Sequence, residues 1–301
     1  MIKAKRMGHA SFTTTDLDRQ IDHYLEVVGL QLIGREPKRA FLGTNSGQLA
    51  VVLEKGGHEN CDRLSFEVSP SASFADMSRH LTSQGFRPET RSDNIPGLAD
   101  LLVFQDFKGT TIELFTESRF VPKGPKVGSA VALKLGHLAF VVPEPKVAAD
   151  FYQRVLGFRI SDWIGDYFVF LRCGPDHHTV NFIRGPKAKM HHIAFEMRDT
   201  AHLHNALDQL GQKRIEVLWG PVRHGPGHNI AAYHFNPDGQ IIEFFAELDR
   251  MSDEESGYFD PKPWHRDLPQ RPKVWDPSMP RDMWGVGPTA KFIDYAKSGA
   301  K

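Results

Sequence analysis

MGHASFTTTDLDRQIDHYLEVVGLQL (7–32) returns later in the chain as LGHLAFVVPEPKVAADFYQRVLGFRI (135–160). Gly8 and Gly136, His9 and His137, Phe12 and Phe140, Tyr24 and Tyr152, and Gly29 and Gly157 are each 128 positions apart. With small shifts the repeat continues: RLSFEV (63–68) answers HIAFEM (192–197), and TIELF (111–115) answers IIEFF (241–245). A fixed period of this length marks two tandem copies of one domain. The expected division is 1–120, a Pro/Gly/Lys linker over 121–132 containing VPKGPKVGSA (121–130), 133–250, and a tail over 251–301.

Each copy halves again. GHLAFVV alternates like a strand, and KVAADFYQRVLGF carries apolar residues at 147, 148, 151 and 155, as an amphipathic helix would. DYFVFLR and TVNFI read as further strands, and HHIAFEM, TAHLHNALDQLG and a hairpin repeat the series. The order is β-α-β-β-β, four times per chain. Strands with one apolar face must bury it, so the expected class is α+β, with paired modules closing into a cup under external helices.

Composition narrows the function classes. The 301 residues carry no net charge and are 40% hydrophobic, which excludes disorder and argues against nucleic acid as a partner. No apolar run reaches the ~18 residues of a membrane span, and the N-terminal segment lacks a signal-peptide core. Two cysteines make no disulfide framework, so a cytoplasmic location is expected. Histidine is the unusual residue, with 15 copies.

The hairpin RHGPGHNIAAYHFNPDGQIIEFF (223–245) brings several of the chemical groups together. Its NPDG turn (236–239) reads as a type I turn closed by a Gly bulge, which pairs residue 236 with 240 and sets Tyr233 opposite Glu243. Without the bulge Tyr233 would face away. Glu243 lies among Ile241, Ile242, Phe244 and Phe245, where a carboxylate needs a cation or donors. A salt bridge is the plain reading of a lone strand Glu. His137 and His192 at corresponding places in two modules instead suggest a 2-His-1-carboxylate metal triad with open positions.

These residues resemble the type I extradiol dioxygenases, the ring-cleaving members of the vicinal oxygen chelate (glyoxalase-like) superfamily, over residues 5–250. The resemblance rests on six positions in order: His137 in GHLAF, His178 in PDHHTVNF, His192 in MHHIAFE, His224 on the Gly-rich turn, Tyr233 nine residues on, and Glu243. It implies four modules paired into two vicinal-oxygen-chelate domains. It also implies metal ligands His137, His192 and Glu243, and catalytic roles for His178, His224 and Tyr233. The implied reaction inserts both atoms of O2 into a catechol-type ring, beside the diol, at mononuclear Fe(II); Mn(II) takes the same ligands. Homo-oligomers are expected from the same source.

In the first copy His9 and Glu113 persist, but Arg63 stands where the second His would be. A guanidinium cannot ligate a metal, so an Arg63–Glu113 contact is expected there. Arg223 and His228 are candidate substrate contacts. His177 and His191 are read as outward-facing neighbours, His234 as turned away from Tyr233, and His58, His80, His202 and His204 as surface residues. The tail, with three Trp and many Pro in DPKPWHRDLPQRPKVWDPSMPRDMWGVG (260–287), shows neither helical nor strand period and is either a lid or a subunit interface. Two rival readings are a glyoxalase-like lyase or isomerase, and a non-catalytic protein that binds aromatic ligands.

Overall fold

The computed structural model describes residues 2–121 and 131–298, so most of the expected linker lies outside the described residues. The first copy runs β1 (Ala4–Thr14), α1 (Leu17–His23, prolonged by a π-helical turn Tyr24–Val28), β2 (Gln31–Arg35), β3 (Arg39–Gly43), β4 (Leu49–Lys55), β5 (Asn60–Val68), α2 (Phe74–Ser83), β6 (Glu89–Arg91), β7 (Leu101–Gln105) and β8 (Thr111–Phe115). The second runs β9 (Lys134–Val142), α3 (Pro145–Leu156), β10 (Arg159–Ile164), β11 (Phe168–Arg172), β12 (Val180–Arg184), β13 (Lys189–Glu196), α4 (Thr200–Gln212), β14 (Trp219–His224), β15 (Ile230–Phe235) and β16 (Ile241–Ala246). Four β-α-β-β-β modules are therefore present, and the α+β class holds.

Each copy builds one curved sheet, ordered β2-β3-β4-β1-β5-β8-β7-β6 in the first. Within a module the first strand lies parallel to the last, and two modules join through an antiparallel pair of first strands, β1 with β5 and β9 with β13. The joining strands sit mid-sheet with both faces covered, which is why β9 is buried along nearly its whole length. Helices enter cleanly: Asp16 caps α1 by accepting from the Arg19 amide, and Pro145 opens α3. On α3 the buried face is Ala148, Ala149, Phe151, Tyr152, Val155 and Leu156; Val147, expected inside, is exposed.

The repeated tyrosines explain how the copies pack. Tyr24 meets Phe195 of the second sheet edge-on at 6.1 Å, and Tyr152 meets Phe66 of the first at 6.3 Å. All four rings are fully buried, each contributing about 1.5–3 kcal/mol through removal from water. One apolar core thus runs through both halves.

The tail, which shows no period in its sequence, forms three short elements: β17 (Lys273–Trp275), β18 (Asp282–Gly285) and α5 (Ala290–Lys297). β17 pairs with β10 at one edge of the second sheet and β18 with β14 at the other, making ten strands. Strands this short leave no period in the sequence. None of the described helices is long and apolar enough to cross a membrane.

Candidate metal centre

Three neighbouring strands, β9, β13 and β16, present the three expected ligands on one sheet face. Ala194 pairs with His137 on one side and with Glu243 on the other, so these side chains flank a single small residue. His192, two residues earlier on β13, shares that face. The β15–β16 hairpin has the bulged register expected: Asn236 N–H donates to the Gln240 carbonyl, Gly239 takes φ +73°, and Tyr233 pairs with Glu243.

The donor atoms converge. His137 Nε2 lies 3.2 Å and His192 Nε2 3.0 Å from Glu243 Oε2, and the two nitrogens are 3.3 Å apart. Three donors mutually cis around one ion, with bonds of about 2.2 Å, would stand about 3.1 Å apart, so the set fits a divalent metal. All three side chains are buried. Burial pushes the Glu243 carboxyl up, but His137 and His192 outweigh it and hold it well below the usual carboxylate range. The other oxygen, Oε1, accepts from Asn229 Nδ2 at 3.0 Å.

A cavity of about 560 Å³ opens over this face. Its walls include Phe168, Phe170, Ile183, Trp219, Phe292 and Ile293, and His178, His224 and Tyr233 also face it. The His178 ring lies 4.3 Å from that of His137, centroid to centroid. His224 Nε2 is 2.8 Å from the Tyr233 hydroxyl, and its Nδ1 is 2.7 Å from Asp282 Oδ1 of β18. The tail's Pro288, Phe292, Ile293 and Ala296 complete one wall.

Several expectations need correction. His177 and His191 do not face outward; both are buried, and each bonds the next histidine through Nδ1, at 2.9 Å to His178 and 2.8 Å to His192. On β13 the cause is a bulge: Met190 pairs with Phe140 and His192 with Ala139, leaving His191 as the extra residue whose side chain is re-aimed. Arg223 does not line the cavity. Its guanidinium donates to Glu247 Oε2 at 2.6 Å and to the His228 carbonyl at 2.7 Å, and lies over the Trp264 ring. His228 likewise points away from the cavity, with Nδ1 2.6 Å from Asp249 Oδ2, while His265 Nε2 sits 2.8 Å from the other oxygen. His228, Asp249 and His265 form a second buried cluster of metal-binding types. Each Asp249 oxygen takes one imidazole, the pattern of a clasp joining tail to hairpin. His202 is also buried, its Nδ1 accepting from the Arg198 amide. His234 does turn from Tyr233 and meets His23 at 3.3 Å.

In the first copy, His9 Nε2 lies 3.0 Å from Glu113 Oε2, whereas Arg63 is 3.8 Å from Glu113 and pairs more closely with Glu54 at 3.2 Å. The expected Arg63–Glu113 contact exists but is the weaker of the two. Asp162, Asp249, Asp282 and His265, which anchor the surrounding histidines, escaped the sequence reading. Their partners are 15 to 58 residues away, and no local spacing signals them.

The model of the Glyoxalase/Bleomycin resistance protein/Dioxygenase superfamily matches residues 6–114 and 134–244, and the chain belongs to that superfamily. Among its relatives, a metapyrocatechase of Pseudomonas sp. (strain CF600) is 25% identical over 261 residues, 80% of this chain and 85% of that one. An iron-dependent extradiol dioxygenase of Rhodococcus jostii (strain RHA1) is 24% identical over 275 residues, covering 83% and 91%. Among solved structures, the Mn(II)-bound glyoxalase from Novosphingobium aromaticivorans superposes with a TM-score of 0.84 at 23% identity, covering 97% of this chain and 94% of that one. At that identity the superposition establishes the fold.

Proposed function

We propose that this chain is an extradiol dioxygenase that cleaves a catechol-type ring next to its diol, using O2 and a mononuclear Fe(II) held by His137, His192 and Glu243. The carrying observation is the triangle of donor atoms, 3.0–3.3 Å on a side, facing a cavity that His178, His224 and Tyr233 also enter. Relatives named metapyrocatechase and iron-dependent extradiol dioxygenase support the same reading. Mn(II) suits the same donor set.

Fe(II) held by His137, His192 and Glu243 would supply a redox-active Lewis acid for the diol and O2. The protein's residues supply the rest. Asp282 accepts from His224 Nδ1–H, so His224 Nε2 is left as acceptor for the Tyr233 hydroxyl. That pair can hold a substrate oxygen and fix its protonation. Burial, reinforced by Glu243, raises the Tyr233 phenol well above its ordinary value, keeping it a proton donor. His178, which lines the same cavity with its ring 4.3 Å from that of His137, is placed to exchange a proton with what binds there. Apolar walls exclude water, and the tail acts as a lid over the domain formed by 133–250.

A cytoplasmic location and a homo-oligomeric state belong to the same proposal; buried free thiols at Cys61 and Cys173 fit a reducing compartment. Anaerobic loading with Fe(II), addition of a catechol and then admission of air gives a yellow ring-opened product with O2 uptake. A lyase or a sequestering protein consumes no O2 in that experiment.

A further inference from the structure

His178 does not stand alone. Its Nδ1 is 2.9 Å from His177 Nδ1, and His177 Nε2 is 3.0 Å from Asp162 Oδ2. All three residues are buried. Asp162 is anchored by the tail: its Oδ1 accepts from the Lys273 amide at 2.8 Å, and its Oδ2 from the Trp275 indole at 2.7 Å. Among the described residues, His178 Nε2 has no protein partner, and His178 lines the cavity.

These contacts dictate where the protons lie. A carboxylate only accepts, so His177 Nε2 carries a proton and donates it to Asp162. In a neutral His177 the Nδ1 is then a bare lone pair, which accepts from His178 Nδ1–H. His178 Nε2 is left unprotonated. We propose that Asp162 and His177 are positioning residues which hold His178 in the Nδ1–H tautomer, with its Nε2 lone pair presented to the cavity as a proton acceptor. Gly227 belongs to this arrangement, because a Cβ there would come within 3.0 Å of His177 Nδ1. What the lone pair does in turnover rests on the dioxygenase reading; the tautomer itself does not.

The first test is a long-range proton–nitrogen NMR correlation on imidazole-labelled, metal-free protein at neutral pH. The expected spectrum has His178 protonated at Nδ1 and bare at Nε2; the opposite tautomer overturns the proposal. The second compares two variants of the iron-loaded enzyme. His177→Phe keeps a ring against Phe170 and Phe259 but loses both polar atoms, whereas His177→Gln retains a donor for Asp162 and an acceptor for His178. We expect H177F to lower kcat by about 10–100-fold at unchanged iron content and catechol KM, and H177Q to recover most of it. A packing role predicts the reverse order, so H177F matching or exceeding H177Q overturns the proposal. Should H177F fail to fold, the wild-type tautomer decides. Lack of O2 uptake by the iron-loaded wild type would count against the dioxygenase reading and leave the NMR result standing.

Discussion

His191 and His192 are consecutive residues of one strand, yet their rings meet Nδ1 to Nδ1 at 2.8 Å. If His192 turns an Nε2 lone pair toward Glu243 and His137, its Nδ1 bears the proton and His191 is the acceptor. Such outer partners fix ligand orientation and typically alter metal affinity 10–100-fold. His191→Leu should therefore weaken Fe(II) or Mn(II) binding by about that factor without unfolding the protein, as read by metal titration. Unchanged affinity would show that His192 needs no such partner.

Asp282 reaches the site from the tail, and removing it frees the His224 ring. Asp282→Ala should leave metal content intact and lower kcat by about tenfold or more, since His224 can then present either nitrogen to Tyr233. Steady-state kinetics with iron analysis on the same sample checks this. Equal kcat in variant and wild type would remove Asp282 from the machinery.

The contact between His23 and His234 joins the two copies and gives stability a pH dependence. Burial first, then Lys213 and Arg19, lowers the His23 imidazole to about 4, and burial also lowers His234 well below its ordinary value. A folded value below the unfolded one means that the unfolded chain binds the proton more readily. Stability is therefore complete above about pH 6.5 and falls as the pH drops toward 4, by at most about 1.4 kcal/mol per pH unit for one such group. His23→Leu should flatten this slope in denaturant titrations between pH 7 and 4.5. A slope identical to wild type would mean that other groups set it.

Burial pushes both Cys61 and Cys173 thiols up to about 12. Neither is a thiolate at neutral pH, so a disulfide reagent should label the native protein only slowly and both thiols rapidly in denaturant. Fast labelling of the native protein would contradict the buried placement.

The tandem modules, the hairpin register and the triad could be read from residues alone because each follows from local chemistry. A repeat of 128 positions needs no contacts to be visible, and NPDG forces Tyr233 opposite Glu243 through one turn. The failures share a cause, which is long-range structure. Strict alternation put His191 outside because the β13 bulge depends on pairing with β9. His177 reads as outward-facing because its partner Asp162 lies 15 residues away on β10. Arg223 and His228 looked available to substrate, but Glu247, Trp264 and Asp249 claim them from beyond the hairpin. The tail's strands are three and four residues long and exist only because β10 and β14 offer open edges.

Crystals of the protein grown with Fe(II) under anaerobic conditions, measured across the iron absorption edge, test the metal centre most directly. One anomalous peak is expected within about 2.3 Å of His137 Nε2, His192 Nε2 and Glu243 Oε2. No peak there, or a peak only between His228, Asp249 and His265, would contradict it.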